Sequence, residues 1–166
     1  MILKPRKKRF KIFISSIVLW FLGRGFQSVV SFDKGAKVEA NSIPDGTVLV
    51  LKINPIGPSL TLKKQKDKFI FIGLIENEKP DIAINFKNIE AAFLVLTGQI
   101  GVAQAYAEHR FSLHGDIITT MPIVRILCLV EAYLFPKFIS KRLLKEMPKR
   151  ETGKAKIYLA TVLGIE

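Results

Sequence analysis

The chain has a single cysteine in 166 residues, Cys128, so it has no disulfide framework and no thiol pair for a metal. Cys128 lies inside the apolar run IVRILCLV, where a buried, inert thiol in a reducing compartment is expected. Histidine is nearly as scarce. His109 and His114 are five apart around one predicted strand, an odd spacing that sends them to opposite faces and prevents a shared metal. No nucleophile with a base, no metal cluster and no phosphate loop occurs at usable spacing. Gly23 and Gly25 make a lone GxG without the preceding strand a dinucleotide site requires. The reading is therefore of no catalytic residues, no metal and no cofactor.

Acid is also missing at the start. Residues 1–32 hold Lys4, Arg6, Lys7, Lys8, Arg9, Lys11 and Arg24, and the first acid is Asp33. Residues 137–156 carry eight basic residues against Glu146 and Glu151, while the stretch between the two ends is balanced. The net charge of +12 thus belongs to the termini. A neutral body with basic ends suits a polyanionic surface, either phospholipid headgroups or nucleic acid, and it also serves solubility. Nucleic acid is the weaker partner, because the aromatics sit within apolar runs rather than among the basic clusters and offer no stacking platform.

With 49% apolar residues, the chain must bury or bind something apolar. The N-terminal basic cluster precedes an apolar stretch, Ile12 to Leu22, that ends in GRGF without a small-x-small cleavage pattern. Eleven residues cover about half of a hydrocarbon core that needs about 20. A first helix packed on the domain is expected, with an interfacial anchor as the compatible alternative.

Further along, DKGAKVEANS reads as a short helix and IPDG as a turn. TVLVLKI, SLTLKK and KFIFIG then read as an antiparallel meander, with Leu60 and Leu62 inward and Ser59, Thr61 and Lys63 on a wet face. DIAINFK puts Ile82, Ile84 and Phe86 on one face of a fourth strand. In NIEAAFLVLTG, Asn88 caps a helix that Gly98 ends, with Ile89, Ala92, Phe93 and Leu96 on one side. QIGVAQAYAEH gives a second helix, with Ile100, Ala103 and Ala107 or Tyr106 toward the core. RFSLHG gives a fifth strand through Phe111 and Leu113. A nearly all-apolar helix is expected from about Met121 to Phe135, with Pro122 in its first turn. After Pro136, KFISKRLLKEM has the pattern of a basic amphipathic helix, and KIYLATVLGI forms a last apolar segment.

The stretch DIAINFKNIEAAFLVLTGQIGVAQAYAEHRFSLHGDI, with DGTVLVLKI, SLTLKK and KFIFIG before it, resembles the sterol carrier protein family, the type-two lipid-transfer domain. The likeness spans about residues 44–135. It implies an α+β fold in which a twisted, mostly antiparallel five-stranded sheet is covered by helices on one face and encloses an apolar tunnel. Residues 1–43 would form a basic helical segment, 44–135 the lipid-binding core and 136–166 a basic helical extension. The resemblance implies a non-catalytic carrier for a sterol, fatty acyl chain, phospholipid or prenylquinone, and as alternative an accessory subunit of a membrane lipid or quinone biosynthetic complex. The lining it implies is Ile84, Phe86, Phe93, Leu96, Tyr106, Phe111, Leu113, Ile126, Leu127 and Val130. Contact with an anionic membrane would fall to Lys4, Arg6, Lys7, Lys8, Arg9 and Lys11 at one end, and to Lys141, Arg142 and Lys145 at the other. Such a protein would be cytoplasmic and peripheral to the membrane.

Overall fold

The structure, a computed structural model, describes residues 8–75, 79–136 and 152–164, with the side chain of Ala103 excepted. Helix α1 (Arg9–Phe32) is followed by α2 (Lys34–Asn41), strands β1 (Val48–Ile53), β2 (Ser59–Gln65), β3 (Lys68–Gly73) and β4 (Ile82–Phe86), helices α3 (Ile89–Leu96) and α4 (Val102–Ala107), strand β5 (Phe111–His114), α5 (Ile117–Leu134) and α6 (Lys154–Leu163). The fold is α+β.

The five strands form one sheet in the order β3-β2-β1-β4-β5. Pairing is antiparallel except between β1 and β4, which run parallel. Register aligns the apolar positions across the sheet: Leu62 and Leu49 with Ile82, Leu60 and Leu51 with Ile84 and Leu113, and Ile53 with Phe86 and Phe111. Because side chains alternate in direction along a strand, this aligned set makes one continuous apolar face. The helices α1, α3 and α5 contribute to the same buried cluster.

The opposite face departs from the expected wet surface. Ser59 and Thr61 are buried, and the Thr61 hydroxyl donates to the carbonyl of Ile75, in the connection that leaves β3 for β4. A parallel β1–β4 pair requires a crossover, and that pairing, not the alternation within β2, decides what covers Thr61.

Helix α1 is 24 residues long, so the expected apolar stretch of eleven understates it. It continues through Gly23 and Gly25 because both are packing positions. A Cβ on Gly23 would meet Leu60 and Phe71 of the sheet at 2.6 Å, and one on Gly25 would meet Leu134 of α5 at 2.8 Å. Absent side chains here let α1 approach the sheet on one side and α5 on another, which outweighs the propensity cost of about 1 kcal/mol per glycine. By length and composition alone α1 and α5 could each cross a membrane, a test that core helices also pass.

Helix α5 begins at Ile117, earlier than expected, since the Asp116 carboxylate accepts from the Thr119 N–H and hydroxyl. Pro122 therefore lies inside the helix. It leaves the Ile118 carbonyl without its usual donor at a residue that faces water. One buried polar node ties three elements together. The Tyr133 hydroxyl donates to Asp33 Oδ2 at 2.5 Å and accepts from the Thr152 N–H, while Asp33 Oδ1 caps α2 at Ala36. Burial, and then the Asp33 carboxylate, push the Tyr133 phenol above its usual range.

Candidate functional site

The ten lining candidates fall into two groups. Ile84, Phe86, Leu96, Phe111, Ile126 and Val130 are buried and belong to the core cluster. Phe93, Leu113 and Leu127 are half-buried, and Tyr106 is 58% exposed. The expectation that Tyr106 or Ala107 turns inward is corrected: both are exposed, and Ala105 is buried instead. With only six residues, α4 turns one narrow side to the core, so a shift of one position reverses the assignment.

Tyr106 is nonetheless attached. Its ring lies 5.7 Å from that of Phe111, which in turn meets Phe86 edge-on at 5.5 Å. Ile89, Ile100 and Val102 are half-buried against the same end of the core. Among the described residues α4 packs chiefly on α3 and β5. The result is an apolar seam between α3–α4 and the β4–β5 edge, closed by a short helix with little tertiary support. The tunnel expected from the resemblance is not shown among the described residues.

At another end of the sheet a cavity of about 470 Å³ is lined by Pro44, Asp45, Gly46, Thr47, Asp81, Ile82, Asp116 and Thr119. Its carboxylates are committed locally. Asp81 accepts from the Val48 N–H at 2.8 Å, Asp116 caps α5, and Asp45 lies 3.6 Å from the Lys64 ammonium. Three carboxylates in an opening suit neither an acyl chain nor a sterol.

Of the basic residues, Lys8 and Lys11 both bond Glu90 on α3, whose carboxyl they hold below its usual range, Lys11 foremost. Lys11 also lies over the Phe93 ring at 5.2 Å. Arg9 is exposed at the start of α1. Lys4, Arg6, Lys7, Lys141, Arg142 and Lys145 lie outside the described residues, as does the KFISKRLLKEM segment.

No group of three or more metal-ligating side chains occurs among the described residues. The His114 ring approaches the Ser112 hydroxyl at 3.2 Å, and His109 sits in the turn before β5 with φ of 50°. Burial, with a further push from Glu131, raises the Cys128 thiol to about 11, so it stays protonated and unreactive at neutral pH. Glu131 itself was not singled out by the sequence. It is 8% exposed, its Oε2 has no hydrogen-bond partner among the described residues, and burial raises it to about 7.

No protein-family model and no curated protein matches the chain. Among solved structures, it is similar to sterol carrier protein domains. A ubiquinone synthesis protein, UbiJ-SCP2, is 17% identical with a TM-score of 0.48, covering 74% of this chain and 99% of that one. Sterol Carrier Protein 2 from Yarrowia lipolytica is 19% identical, with a TM-score of 0.45 and coverage of 70% and 91%. Sterol Carrier Protein 2 Like 2 from Aedes aegypti is 12% identical, with a TM-score of 0.42 and coverage of 66% and 95%.

Proposed function

We propose that this chain is a non-catalytic lipid-binding protein that admits one long apolar chain between the sheet and its helical cover. The observation that carries this reading is the seam: a continuous apolar sheet face at whose β4–β5 end Ile89 of α3, Val102 of the six-residue α4 and Leu113 of β5 pack on the core while still half-exposed. An apolar ligand entering there would cover Phe93, Tyr106 and Leu113 and displace little hydrogen-bonded structure. The same reading places the protein in a reducing compartment beside an anionic membrane, a setting favoured by its lone cysteine and basic ends.

Native mass spectrometry of the delipidated protein incubated with palmitate tests the proposal. A 1:1 adduct is expected, and Tyr106→Asp, which sets a charge in the seam at an exposed position, should weaken it at least about tenfold. Absence of any adduct, or equal binding by Tyr106→Asp, would overturn the seam as the site.

A further inference from the structure

Helix α1 is apolar on both sides. Leu19, Leu22, Phe26, Val29 and Val30 enter the core, as one side of an amphipathic helix should. At about 100° per residue, Phe10, Phe13, Ile17, Trp20 and Arg24 fall on the opposite side, and there the polar surface of a water-facing helix is missing. Phe10 is 72% and Phe13 63% exposed.

Helix α6 extends this surface. Its inner side buries Ile157, Ala160 and Thr161, and its outer side presents Leu159, Val162 and Leu163. Arg24 joins the two helices: its guanidinium lies 4.7 Å from the Trp20 ring centre, and Nη1 donates to the Val162 carbonyl at 3.5 Å. Lys156 lies over the Phe32 ring at 4.7 Å. Aromatic and aliphatic tips thus stand among cations, with no acid in residues 1–32.

We infer that the outer faces of α1 and α6 together form a docking surface for an anionic phospholipid bilayer, into whose interface Phe10, Phe13 and Ile17 insert. Charge complementarity selects this occupant. A second copy of a chain of net charge +12 would bring Arg9 and Arg24 toward like charges, whereas an anionic headgroup layer meets them with the opposite sign. Crossing the bilayer would require α1 to withdraw Leu19, Phe26 and Val29 from the core, while lying in the interface leaves the fold intact. The inference rests on the membrane setting proposed above and names the surface that meets it, which is distinct from the seam.

Co-sedimentation with phosphatidylcholine–phosphatidylglycerol vesicles, and with pure phosphatidylcholine vesicles, tests it on the full chain. Binding is expected to the anionic vesicles only and to fall as salt rises. The double variant Phe13→Ser, Ile17→Ser should bind at least about tenfold less, with an unchanged melting temperature and unchanged palmitate binding. That last control separates loss of docking from failure of the carrier reading. Equal binding to both vesicle types, or sedimentation of the double variant like the parent, would overturn the inference. So would a dimer that the substitutions dissociate without altering vesicle binding.

Discussion

Phe13 and Phe26 share one helix and one side-chain chemistry, yet one is 63% exposed and the other fully buried. Phe26 meets the ring of Phe69 on β3 at 5.0 Å, and Gly23, one turn before it, lets the helix close on the sheet. Phe13 has water on its outer side. The inner face of α1 is therefore explained by folding, and the outer face needs a purpose outside the fold. Apolar side chains scattered singly on a surface need none, but Phe10, Phe13 and Ile17 occupy one stripe.

The sharpest way to break this comparison is to truncate both phenylalanines. Phe26→Ala should cost about 3–5 kcal/mol, through lost burial and the cavity left behind, read as a large drop in melting temperature. On the buried side the helical cover carries a second large effect. Glu131 on α5 has a folded pKa raised from 4.5 to about 7, so the folded state holds the extra proton between those values. Stability should then fall as pH rises through that window and stay reduced above it, by up to about 3 kcal/mol. Glu131→Gln should flatten a melting-temperature profile over pH, raising stability at pH 8 relative to the parent and leaving it little changed below 4.5.

A smaller effect is expected from Gly23→Val, which forces a branched side chain into Leu60 and Phe71. Denaturant unfolding should report a loss of about 1–3 kcal/mol, despite the better helix propensity of valine. Smallest of all, Phe13→Ser should change stability by less than about 0.5 kcal/mol. A Phe13 substitution as costly as Phe26→Ala would mean that the two faces do not differ.

Local features were readable from residues alone. Asn88 accepts from the Ala91 N–H and caps α3 as its position before an apolar run suggests, and Gly98 follows that helix with φ of 71°. Alternation in IAINF placed Ile82, Ile84 and Phe86 inward. What escaped depends on partners distant in sequence. Thr61 is buried by a crossover that only the parallel β1–β4 pairing requires. Lys8 and Lys11 meet a glutamate about 80 positions away, and the Asp33–Tyr133 hydrogen bond joins residues 100 apart. The seam was legible as a set of apolar residues, but which of them stay half-covered follows from how α4 sits on β5. The outer stripe of α1 was readable as apolar, but its exposure was not, since only the folded chain shows which side meets the sheet.

Trp20 offers the most direct measurement, as the chain's lone tryptophan lies in the outer stripe beneath Arg24. Its emission should shift to shorter wavelength when phosphatidylcholine–phosphatidylglycerol vesicles are added, and stay unchanged with pure phosphatidylcholine vesicles. Vesicle binding without any change in Trp20 emission would contradict the outer face of α1 as the surface that meets the membrane.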